Sequence, residues 1–281
     1  WVRYRTLAQE ADAASEIAAI QERVAQDSEG LRDRQPLWGE ASPGRAFEHF
    51  NKAIAGALDH GNAHPNLVKM RLGKDLPPET IQELRARWWP LVAEMRRGAR
   101  AKDALRPLDK DSEVPSVSCL LWARELVNLA VIQCHEAAEA GRPKEAVEIS
   151  LDAATFGLDL VRSGRVIDQM IGGALLAITT SECWTETHLK LLDRPSLELL
   201  ATGLKRLDDT LPPSIRLEQE VLYTDWMLAK HRKESDERSH EAFDERLLPS
   251  WKFGLSTDWM VADTLCFYAD SARQRREAKD S

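Results

Sequence analysis

Cysteine is scarce in this chain. Cys119, Cys134, Cys183 and Cys266 are the four present. Each stands alone in apolar helical company, without the close pairs of a zinc site or a disulfide framework, so buried free thiols are expected. No run of about 18 or more apolar residues occurs, so no segment here is suited to spanning a bilayer. Val, Ile and Thr are not clustered and do not alternate with polar residues, so no strand is predicted. Walker loops, Gly-rich dinucleotide fingerprints and G-x-S-x-G elbows are missing, and no cofactor is expected. Positive charge is in deficit, with 38 Lys and Arg against 46 Asp and Glu and a net charge of -8, which argues against nucleic acid as a partner.

What is present reads as a helical globular protein. The 281 residues, 43% hydrophobic and 30% charged, suffice for one large domain or two smaller ones. The polar, proline-containing stretch 103–116 places a boundary there. An N-terminal helical subdomain over 1–110 and a C-terminal one over 111–281 are expected, unless the two run together as one domain.

The chain is organised around 117–192, where three helical patterns are separated by turns at Gly141-Arg142-Pro143 and Ser163-Gly164. The first and third are apolar nearly all round, and so are expected to be the central helices. The middle one carries Glu145, Glu148, Asp152 and Asp159 in a narrow stripe, predicting a wall with one wet face. Gly172-Gly173-Ala174, with Ala177 a turn on, predicts a close helix crossing at which Gly173→Leu would be severely destabilising.

Earlier in the chain, residues 4–27 read as an Ala-rich helix. Residues 30–44 read as a connector whose Trp38 plugs onto the core. A helix follows with Ala46, Phe50, Ala53, Ile54 and Leu58 on one face. The helix after Pro77-Pro78 should kink or break at Pro90. Late in the chain, Leu197, Leu200, Leu204, Leu207 and Leu211 form one stripe that ends at Pro212-Pro213. Further helical patterns lie within 214–272, and a charged tail closes the chain. The fold expected is all-α, built of stacked antiparallel helical hairpins in either a tetratricopeptide-like or an irregular solenoid or bundle arrangement.

Ala46, Phe50 and Ala53, and again Ala146, Ser150 and Ala153, each follow a turn holding Gly44 or Gly141. This pattern resembles the second helix of a tetratricopeptide repeat, in degenerate form, since the copies lie further apart than the period of about 34 residues. LWGEASPGRAFEHFNKAI and EAAEAGRPKEAVEISLDAATFGLDLV are also similar to segments of uncharacterised exported helical proteins of myxobacteria and planctomycetes. That resemblance implies a helical body behind an N-terminal anchor or signal and carries no activity. The opening WVRYR, mixing aromatic and basic residues, fits such a flank, and membrane proximity would come through a segment preceding Trp1.

Arg124, Asn128, His135 and Glu139 share a strip of the first central helix, flanked by Glu125 and Glu136. Together with Glu145, Glu148 and Asp152 of the next helix they are expected to line a mixed-charge groove. The leading expectation is a non-catalytic scaffold that takes a partly basic protein or peptide segment there. A metal-dependent or other enzyme centred on Arg124, His135 and Glu139 is the first alternative. His135 and Glu139 at i,i+4 could share a metal, but HEAAE lacks the second His of HExxH, and no metal is expected. Glu182, Cys183, Glu186 and His188 are ligand types too scattered round one helix to act together. Asp208-Asp209 reads as a helix terminus. The second alternative is docking on anionic membrane through the Trp88-Trp89 helix, which carries Arg85, Arg87, Arg96, Arg97, Arg100 and Lys102.

Overall fold

The computed structural model describes residue 15 and residues 17–26, 29–59, 77–106, 117–164 and 166–212. The chain divides into two compact units, residues 28–215 and a second formed by 1–27 with 216–281. Of the second unit, residues 17–26 are helical, as the Ala-rich pattern predicts. The helices expected beyond residue 213 and Cys266 lie outside the described residues. So does the 107–116 boundary stretch, whose two flanks belong to the same 28–215 unit.

The described part is all-α. In the 28–215 unit residues 29–32, the start of the expected connector, are helical, and seven further helices follow in order: α1 (Ala46–Asp59), α2 (Pro78–Arg100), α3 (Val117–Glu139), α4 (Pro143–Ser163), α5 (Val166–Glu182), the short α6 (Glu186–Leu189) and α7 (Arg194–Thr210). Local chemistry sets their ends. Proline occupies the first turn of α2, α4 and α7, where its missing N–H costs nothing. Gly141 takes a left-handed turn at φ 72° between α3 and α4. Asp193 caps α7 by accepting from the Ser196 N–H at 2.9 Å.

Two expectations about local structure change. α2 runs unbroken through Pro90, because Pro90 and Ala86, whose carbonyl it leaves unbonded, both lie on the exposed face. Two short strands also exist, β1 (Ser42–Arg45) and β2 (Ala101–Asp103), paired in parallel. They belong to a strap in which the connector before α1 lies along the chain leaving α2. Arg34 N donates to Lys102 O at 2.9 Å, and Ala104 N to Leu31 O at 2.8 Å. Strands of four and three residues are too short to show an alternation in sequence.

α4 is the most buried helix, and α3, as expected, is covered on most sides through Ala123, Leu126–Val131, Cys134 and Ala137. Ala146, Ile149, Ala153, Phe156 and Leu160 join one core with Phe50, Trp88, Met95 and Leu126. Val147, Leu151, Ala154 and Leu158 join another with Leu37, Leu200 and Leu207. Buried Ser150, Thr155 and Ser163 hydroxyls are satisfied by carbonyls of α4 itself. α5, by contrast, leaves Met170 (58% exposed), Gly173, Ala174 and Ala177 uncovered.

The crossing predicted for the glycine pair is real but belongs to Gly172 alone. A Cβ on Gly172 would stand 2.6 Å from the Gly157 carbonyl oxygen of α4, whereas one on Gly173 would meet nothing within 4 Å. The severe cost expected at Gly173 therefore moves one residue back. In α1 the buried face is Ala46, Phe47, Phe50, Ala53, Ile54 and Ala57, and Leu58 turns outward.

Candidate functional site

The polar strip of α3 does not assemble as one site. Arg124 is exposed, Asn128 is buried, and His135 is half-buried near the helix end with Glu139 exposed beyond it. At about 1.5 Å per residue, Arg124 sits about 16 Å along the axis from His135. The Asn128 amide lies 3.5 Å from the Glu125 carboxylate. Arg124, His135 and Glu139 thus share a side of the helix without sharing a centre.

His135 instead meets the segment that follows α5. Its ring stacks on His188 with centroids 3.7 Å apart and planes within 5°. His135 Nε2 lies 2.8 Å from the Glu182 carbonyl oxygen, so that nitrogen carries a proton and donates. His188 Nδ1 faces the Thr185 hydroxyl at 2.7 Å, and its Nε2 lies 3.7 Å from Glu139 Oε1. Next to the pair the thiols of Cys134 and Cys183 are free and buried. Interaction with Cys134, then burial, pushes the Cys183 thiol well above its ordinary value, making it a poor nucleophile. Burial holds His135 below the usual imidazole range. The Glu182 carbonyl and Glu139 pull the other way, and a charge on His188 would lower it further.

Residues dismissed as scattered round one helical wheel, Glu182, Cys183 and His188, are therefore gathered on the end of α3. The wheel misleads because α5 stops at Glu182, so helical angles do not extend to residue 188. The legible signal was the repeated order of the two segments, Cys134-His135 and Cys183 followed by His188.

The acidic face expected of α4 is largely inside the molecule. Asp152, 1% exposed, accepts from Trp38 Nε1 at 2.8 Å, Arg96 Nε at 2.7 Å and Arg100 Nη2 at 3.0 Å. The Arg100 guanidinium also lies 4.1 Å over the Trp38 ring. Trp38 plugs its connector onto the core as predicted, and it does so through this carboxylate. Asp159, fully buried, pairs with Arg34, which also donates to the Gly98 and Ala101 carbonyls. Burial pushes the Asp159 carboxyl up to about 6 against the pull of Arg34 and Arg162.

Only Glu145 and Glu148 reach solvent, beside Arg142 at 2.5 Å and Lys144 at 3.8 Å. Asp152 cannot line a groove for a basic segment, because arginines of α2 already occupy it.

The Trp88-Trp89 helix loses its free cations for the same reason. Trp88 is fully buried in the core. Arg85 pairs with Glu136, Arg87 with Glu83, Arg96 and Arg100 with Asp152, Arg97 with Glu94, and Lys102 with Asp33. Glu94 also receives His49 and Lys52. Burial alone would raise its carboxyl, but hydrogen bonds from His49, Lys52 and Arg97 outweigh burial and hold it below the usual carboxylate range. Arg96 and Arg100 are drawn inward onto Asp152, whereas Arg85, Arg87, Arg97 and Lys102 stay about half or more exposed in their pairs.

Among the described residues no group of three or more His, Cys, Asp and Glu is arranged to hold a metal ion. Among them too, no helix is long and apolar enough to cross a membrane. Comparison with protein-family models, with curated proteins and with solved structures gives no match.

Proposed function

We propose that the protein is a non-catalytic helical scaffold that binds a protein or peptide partner, its hairpins stacked in an irregular, tetratricopeptide-like manner. The observation that carries this reading is the leucine stripe of α7. Leu200 and Leu207 are buried against α4, while Leu197, Leu204 and Leu211 are exposed on the adjacent row. Apolar side chains seven residues apart, uncovered and in line, suit the apolar face of an amphipathic helix. Leu189 and Leu191 of the preceding segment are exposed as well. With Asp152 committed to arginines, the partner is recognised chiefly by apolar burial rather than by a basic sequence.

The test is a double substitution, Leu197→Glu with Leu204→Glu. Partners cross-linked to the wild-type protein in its own cells are expected to be lost from the variant while its melting curve is unchanged. Equal recovery of every partner by wild type and variant removes α7 as the binding surface, and recovery of none by wild type removes the scaffold reading.

A further inference from the structure

The pairing of His135 with His188 is unusual in what it joins. α6 buries none of its residues. On either side of it the chain is anchored by apolar groups: Cys183 and Trp184 pack on the core before it, and Leu192 is buried after it. Between those anchors, residues 185–191 meet the end of α3 through the His135–His188 stack and the 3.7 Å approach of His188 to Glu139.

Two imidazoles at this separation tolerate one proton beyond the neutral pair. A single imidazolium can stack on its neutral partner, and Glu139 lies where a charge on His188 would be met by a carboxylate. A second proton, on His135, is opposed by burial and by the charge on His188, although Glu139 and Glu182 favour it. His135 already donates its Nε2 proton to the Glu182 carbonyl, so the added proton must enter at Nδ1, on a half-buried ring, and two cations then face one another at stacking distance.

Among the described residues, the titratable groups around the pair are Cys134 and Glu139 of α3 and Glu182 and Cys183 at the end of α5. On the corner itself Glu186 and Lys190 bind each other at 2.6 Å. Glu139 is two-thirds exposed, and neither it nor Glu182 can stand between rings whose centroids are 3.7 Å apart, so the repulsion between two imidazoliums at stacking distance remains.

We propose that the His135–His188 stack is an acid-opened latch: entry of the second proton separates the rings and lifts residues 185–191 away from the end of α3, between anchors at Trp184 and Leu192. The opening is local because none of residues 185–191 belongs to either hydrophobic core. It exposes the end of α3 and the chain next to the Cys134 and Cys183 thiols.

The test is hydrogen exchange of the full chain at about pH 7.5 and about pH 5, corrected for intrinsic rates, within the range where histidine charge changes. Amides of 185–191 are expected to exchange at least about tenfold faster at the lower pH, with those of α4 unchanged. His188→Phe keeps a stacked ring without the second charge, and there the segment should stay protected at both values. Equal protection of 185–191 at both pH values in wild type, or loosening that spreads to α4, or the same loosening in His188→Phe, overturns the latch. Should that variant fail to fold, the ring protons of His135 and His188 in the wild type decide. Two separated titration steps, the second coinciding with loss of the stack, support the latch, and independent titration of the two rings overturns it.

Discussion

At Gly172 one hydrogen atom stands where a methyl group would come within 2.6 Å of a backbone oxygen that cannot move without moving α4. Gly172→Ala is therefore expected to cost about 1–3 kcal/mol through overpacking. Gly173→Ala, on open helix surface, should stabilise by about 0.5–1 kcal/mol through helix propensity. Urea unfolding of the two variants checks both signs, and equal effects would contradict the crossing. Asp159 makes a second residue-scale case. Removing it as Asp159→Ala leaves the buried Arg34 unpaired and should cost about 3–5 kcal/mol, whereas replacing both partners by apolar residues should recover much of that loss. Because the folded-state carboxyl sits at about 6, above its ordinary 3.8, its contribution is fully present below about pH 4 and is lost as pH rises through about 6. The stability difference between wild type and Asp159→Asn, measured across that window, should fall accordingly. His135 slopes the opposite way. Its value is lowered by burial, so its contribution is present above the ordinary 6.5 and is lost as pH falls through the lowered folded-state value.

Helix α7 shows how one stripe can serve two environments. Five leucines spaced three and four residues apart look like a single face in sequence, yet only the row of Leu200 and Leu207 reaches the core. Gly203, on the same side, lets Leu151 of α4 approach so closely that a Cβ there would lie 2.5 Å from it. Leu200→Ala should therefore destabilise by about 2–5 kcal/mol. Leu204→Ala, on the exposed row, should change stability by no more than about 0.5 kcal/mol. Thermal melts of the two single variants test the division between the rows, and comparable losses would mean that the outer row is covered. In α4 the logic is reversed, since residues that look solvent-facing are covered. Asp152→Lys, harmless on a wet face, here sets a third cation against Arg96 and Arg100 and is expected to abolish folding.

For the molecule as a whole, the 28–215 unit holds both hydrophobic clusters around α4 together with the ionic network of Arg34, Arg96, Arg100, Asp152 and Asp159. A fragment of residues 28–215 should therefore give a helix-dominated circular dichroism spectrum and one cooperative thermal transition. A non-cooperative melt would show that this unit needs the remainder of the chain.

The sequence by itself determined the class of structure and much of its punctuation. Apolar periodicity, proline in first helical turns and the Gly141 turn specify helices wherever they are described from residue 46 to 210, because those signals act within a few residues of one another. What a helical wheel yields is which residues share a face, and it is silent on what covers that face. Tertiary structure decided that Asp152 and Asp159 are buried, because the arginines that neutralise them come from residues 34, 96 and 100, far away along the chain. It placed the crossing on Gly172 rather than Gly173, a difference of about 100° in direction that depends on where α4 lies. It also brought His188 onto His135 across a turn that ends helical periodicity. Local chemistry sets where helices begin and end, and packing sets which of their polar residues meet water.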